Sequence, residues 1–234
     1  MEKSTAIFYT MNRRIFHLFF YCLLFTSLNV YAQIPRQQFS IETSIKNHAA
    51  LPFIKPYTGE VQGIKATPSA GNKTGGTGFF MTGTQANSYF YYVSRTGKAF
   101  ANWGAVRDKY TQAGYEFGLM GWPADDEKLL PDAQGFFQPF ENGYIYWHVQ
   151  YGAHIVKGEF FRHWAKNNWE KGIFGYPVED EYDYPAGANG KSKSRESFQK
   201  FYNGIIYVSE NLITHQITVS SKIYNPNNYP SRPH

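Results

Sequence analysis

Apolar positions between residues 137 and 172 follow two rhythms. Phe137–Phe140 reads as a short strand, and Glu141, Asn142 and Gly143 form a turn, because Asn-Gly accepts the positive φ of a tight hairpin. Tyr144–Val149 alternates aromatic and aliphatic side chains as a second strand, Gln150 to Gly152 turns again, and His154–Val156 returns as a third. From Gly158 the period changes: Phe160, Phe161, Trp164 and Ala165 recur at helical spacing, and Asn167, Asn168 and Gly172 stop the helix. Gly175, Tyr176 and Pro177 then make an ordered loop. The pattern predicts a β-hairpin unit followed by a short helix.

This unit is repeated. GLMGWPADDE from Gly118 matches GIFGYPVEDE from Gly172, 54 residues on, and the same offset carries Gly104, Val106 and Tyr110 onto Gly158, Phe160 and Trp164. FQPFENGYIYW aligns with FQKFYNGIIYV at an offset of 61, which places seven extra residues in the loop containing GANGKSK. At that offset His154 falls on His215. An earlier partial copy is visible in GFFMTG and YFYYVSRTG, where Tyr91 and Gly97 stand for Tyr146 and Gly152. Two fairly complete units with a stub at each end predict an α+β repeat array in which units bury their apolar faces on one another.

The flanks differ in kind. Residues 1–32 carry Arg13 and Arg14, an apolar run from Leu18 to Leu28, and small residues at Val30 and Ala32, the layout of a secretory signal peptide. Met11 is a candidate for the true start, because the ten residues ahead of it add nothing to the signal. The run is too short for a membrane span, so no span is expected in the mature chain. Residues 33–77 are polar and broken by four prolines, and are expected to be a leader or linker with an ordered piece around Phe39–Leu51. Residues 78–220 form the repeat domain and 221–234 a flexible tail.

Composition narrows the function. Aromatic residues make up 19% of the chain, and Tyr nearly equals Phe, which suggests rings with one edge in water. Residues 1–32 hold Lys3, Arg13 and Arg14 against Glu2, so their removal lowers the net charge from +5 to +3. That balance is mild and argues against nucleic acid as a partner. The single cysteine, Cys22, lies in the signal segment, which excludes a disulfide or cysteine-built metal centre in the mature chain. No cofactor is expected.

The motifs resemble the LGFP repeat family. The best unit reads I-Y-W at Ile145–Trp147, G-A-H at Gly152–His154, V-K-G at Val156–Gly158, then Trp164, F-G-Y-P at Phe174–Pro177 and D-E at Asp180–Glu181. The unit before it has M-G-W-P at Met120–Pro123 and D-E at Asp126–Glu127. The resemblance implies a propeller-like or toroidal array. It also implies an exported bacterial protein, periplasmic or at the cell surface, that binds cell-wall polysaccharide; many such repeats are appended to cell-wall enzymes. Departures from the family pattern lie at the ends: Ala99 or Phe100 replaces the histidine of the first unit, and Val208 the tryptophan of the last.

Sugar rings lie well on aromatic faces beside polar groups, which makes Trp122, Tyr146, Trp147, His154 and Tyr176 the candidate ligand-binding residues. Alanine at Trp122 and Trp147 is then expected to abolish glycan binding and leave thermal unfolding nearly unchanged. The histidines lack the converging spacing of a metal site. The acidic pairs invite comparison with glycosidase carboxyls, but adjacent carboxyls recurring once per unit read as groups that bond backbone N–H. No nucleophile motif is present, so no enzyme is expected. The main reading is an exported, non-catalytic binder of cell-wall or other polysaccharide. The alternatives are a protein-interaction module using the same aromatics and, third, a polysaccharide hydrolase.

Overall fold

The computed structural model describes residues 38–69, 76–85, 87–185 and 193–224. The signal segment expected over 1–32 lies outside them. Their strands form three separate four-stranded antiparallel meanders, with no closed barrel among the described residues. The first comprises β1 (Val61–Ser69), β2 (Gly78–Gly83), β3 (Ser88–Val93) and β4 (Lys98–Trp103), followed by α3 (Gly104–Gln112). The second comprises β5 (Lys128–Leu129), β6 (Gly135–Phe140), β7 (Gly143–His148) and β8 (Gly152–Lys157), followed by α4 (Gly158–Lys166). The third comprises β9 (Tyr182–Asp183), β10 (Ser194–Phe201), β11 (Gly204–Asn211) and β12 (Ile217–Ile223). Strand passes directly to helix at Gly104 and Gly158, whose φ values of +53° and +55° a side chain would oppose.

Period-two alternation sends the side chains of the first two sheets into two different cores, while the third sheet packs into one. Phe90, Ala99 and Ala101 face one side of the first sheet, Tyr91 and Phe100 the other. Ile145 and Ile155 of the second sheet meet the latter group, while Tyr146 and Val156 face Phe201 and Ile206 of the third. The result is a stack of sheets with helices filling the steps.

The stretch 33–77, expected as a leader, contributes folded structure to one end of this stack. Residues 38–49 form a helix, α1, whose Ile41, Ile45 and Ala49 recur every four residues and pack on Met81, Phe90 and Trp103. A four-residue turn, α2 (Lys55–Thr58), and β1 complete this end. The helix falls where the sequence leads one to expect an ordered piece, around Phe39–Leu51, but its type is not evident there, because only three apolar positions carry it. At the other end β12 runs through Ser221–Ile223, beyond the boundary expected for the domain.

Pairing also corrects the repeat alignment. In the second sheet Tyr146 faces His154, and in the first its counterpart Tyr91 faces Phe100, so Phe100 is the residue that replaces the histidine. In the third sheet Tyr207 faces Ser220. His215 lies instead in the turn after β11, with φ +55°, because this hairpin is longer and its turn has moved outward. The equivalence of His154 and His215 does not hold.

Candidate functional site

Each unit is fastened to the one before it by the acidic pair and a glutamine. Asp126 Oδ1 accepts from Ala101 N at 2.8 Å and Glu127 Oε2 from Trp103 N at 3.0 Å, both on the outer strand of the preceding sheet. Gln138 Nε2 donates to Ala101 O and to Asp125 O, each at 2.9 Å. One repeat later Asp180 Oδ1 accepts from Ile155 N at 2.9 Å, while Gln199 Nε2 donates to Ile155 O and Glu179 O. The carboxyls therefore satisfy backbone groups of an otherwise open strand edge.

Asp180 also accepts from Lys109 Nζ and lies 3.6 Å from His154 Nδ1. Burial opposes its ionisation, yet His154, Lys109 and the Ile155 N–H overcome that and hold the carboxyl down to about 2, against an ordinary 3.8. A depressed folded pKa adds stability above 3.8 that is lost as pH falls towards 2. The side chain is 42% exposed, so screening reduces this to about 1 kcal/mol. Asp180→Asn is expected to flatten that acid limb in urea unfolding followed against pH; an unchanged limb would remove Asp180 from the account.

The fastening turns decide which aromatics are open. Trp122 follows Gly121 in a turn paired with the next hairpin, and it is fully buried. Its Nε1 donates to Gly76 O at 3.1 Å, and its ring meets Tyr91 edge-on at 6.3 Å. Tyr146 is 5% exposed, stacked on Phe137 at 5.3 Å and edge-on to Trp164 at 4.9 Å. Both were expected to offer a ring to a ligand; the structure places both in the core, Tyr146 because its face of β7 packs on α4. Trp147, one residue on, projects to the opposite face and stacks on Phe136 at 6.1 Å. The five expected residues are thus divided among core and two faces.

Tyr176 and His154 both meet Tyr151, a residue the sequence did not single out. His148 packs on Tyr151 at 4.7 Å and on Tyr176 at 4.4 Å, and Tyr151 meets the exposed Tyr202 at 5.2 Å. His154 Nε2 donates to Tyr151 O at 2.8 Å, fixing the turn that carries Tyr151. The Tyr176 hydroxyl donates to Asp132 Oδ2 at 2.6 Å. Burial opposes ionisation of Asp132, but that bond, the Gln134 N–H and nearby His148 keep its pKa below the ordinary value. His148 Nδ1 accepts from Gln150 N at 3.1 Å, and burial lowers its pKa, so the ring stays neutral at pH 7. The arrangement is a half-open bed of four rings with a carboxylate at its edge. It can stack on apolar C–H faces and accept hydrogen bonds from hydroxyls. The signal for Tyr202 was its place in the hairpin turn facing Gly175 and Tyr176.

Among the described residues no cluster of three or more His, Cys, Asp or Glu side chains could hold a metal ion, and no helix is long and apolar enough to cross a membrane.

Residues 120–172 match the family model of the LGFP repeat. The matched segment opens on the fastening turn at Met120 and runs through the second sheet and α4, so it takes in one complete structural unit. No curated protein matches the chain. The chain carries an LGFP repeat, a module associated with exported proteins.

Proposed function

We propose that this LGFP-repeat protein is an exported, non-catalytic binder of cell-envelope polysaccharide, and that Tyr151, Tyr176 and Tyr202 with His148 form its sugar-binding face. The observation that carries the reading is the half-open ring bed with Asp132 at its edge. Aromatic faces and one acceptor suit a pyranose, whose C–H face is apolar and whose rim is hydroxylated. In this reading the three four-stranded sheets are blades of the propeller-like array that the family resemblance implies.

The test is a pull-down on insoluble peptidoglycan and a panel of other insoluble polysaccharides, at low and high salt. Binding by the ring bed survives high salt and falls about tenfold or more in Tyr176→Ala and Tyr151→Ala, with modest change in thermal unfolding. Binding that salt abolishes, or that both variants retain, would sink the assignment. A second reading has its own observation: among the described residues β12 pairs only with β11 and exposes Ile217 and Ile223, a strand edge that suits a protein partner. A concentration-dependent mass with no response to any glycan would favour it.

A further inference from the structure

A cavity of about 520 Å³ lies beneath α2, between the N-terminal segment and the first two sheets. Phe53, Tyr57, Trp103 and Phe136 wall it. Tyr57 and Trp103 stack almost parallel at 5.0 Å, and Phe136 stands edge-on to both. Three acidic residues, Asp125, Asp126 and Glu127, line the same cavity. Asp125 is paired with Lys128 Nζ at 2.6 Å and Asp126 with His48 Nε2 at 2.7 Å. Glu127 has no cation among the described residues; its one hydrogen bond there comes from Trp103 N.

Comparison with the next unit shows what is missing. Glu181, the counterpart of Glu127, is bonded by the ammonium group of Lys157, the last residue of β8. The last residue of β4 is Trp103. The first unit therefore keeps the carboxyl, loses the internal ammonium and gains an aromatic wall. We propose that this cleft binds an amino sugar, whose ammonium group takes on Glu127 the place that Lys157 Nζ takes on Glu181.

Two further features fit. The indole Nε1 of Trp103, in a residue only 6% exposed, has no acceptor among the described residues, an unmet donor in a residue that lines the cleft. Glu127 is 5% exposed, and burial raises its carboxyl well above the ordinary value despite the Trp103 N–H; an arriving cation restores the charged form. An alkylammonium alone would leave most of 520 Å³ unfilled, whereas pyranose rings fill it against the four aromatic walls. The inference shares with the proposed function only a saccharide ligand and does not depend on the Tyr176 face.

Calorimetric titration of the protein with short glucosamine oligomers tests it, beside their fully N-acetylated counterparts and Nα-acetyl-lysine. The expected result is binding of the glucosamine oligomers that weakens about tenfold or more in Glu127→Gln, which keeps the acceptor for Trp103 N. Tyr57→Ala, at an exposed ring, is expected to weaken it as well, while Tyr176→Ala leaves it unchanged. No binding, equal binding of the acetylated oligomers, or equal binding of Nα-acetyl-lysine would each overturn the proposal. Loss in Tyr176→Ala alone would place the ligand on the other face.

Discussion

Trp122→Ala is expected to lower folding stability by about 3–5 kcal/mol, the range for truncating a large, fully buried aromatic. The ring is enclosed by Tyr91, Tyr110 and Phe140 of its own core, and its N–H is bonded to Gly76 O. Alanine therefore leaves a cavity and removes the hydrogen bond to Gly76 O. Tyr176 sits at the same repeat position, 54 residues on, but is only half-buried, with its hydroxyl on a surface carboxylate. Tyr176→Ala should cost about 1–2 kcal/mol. Urea unfolding of the two variants side by side measures the difference. Equal losses would mean that the repeat position, and not the covering segment at Gly76, sets the burial.

Gln138→Ala should come second, at about 3–4 kcal/mol. Gln138 is completely buried. Its amide donates to Ala101 O and Asp125 O, and its Oε1 accepts from Asn102 Nδ2. Alanine strands two carbonyls and one amide, at about 1–3 kcal/mol for each buried group left unsatisfied, reduced where water enters the gap. The chain itself supplies a control, because Met81 occupies the matching place in the first sheet, facing Phe90 as Gln138 faces Ile145. Gln138→Met keeps the volume and removes the hydrogen bonds. If it unfolds at the wild-type urea midpoint, Gln138 acts by filling space and the fastening account fails.

Much of the unit was legible because its rhythm is local. The strands expected at Phe137–Phe140, Tyr144–Val149 and His154–Val156 appear as β6, β7 and β8, and the helix begins at Gly158 as the change of period requires. Burial was less legible. Trp122 and Tyr176 look alike in sequence, and what separates them is a backbone segment 46 residues upstream of Trp122. Adjacent letters in I-Y-W conceal opposite faces, so Tyr146 and Trp147 could not both belong to one groove. His215 was misplaced because a constant offset assumes equal hairpins, and β10 and β11 each run two residues longer than β6 and β7. The ring bed and the cleft beneath α2 are assembled from different units, a property that no single motif carries.

The backward reach of Gln138 and Gln199 gives the array a tempo as well as a shape. The partner of Ala101 lies 37 residues further along the chain, and that of Ile155 lies 44. A nascent polypeptide therefore releases each sheet with its last strand unfinished, and that edge closes only when most of another unit has emerged. Folding along this chain is a relay, in which every sheet but the last waits for its successor.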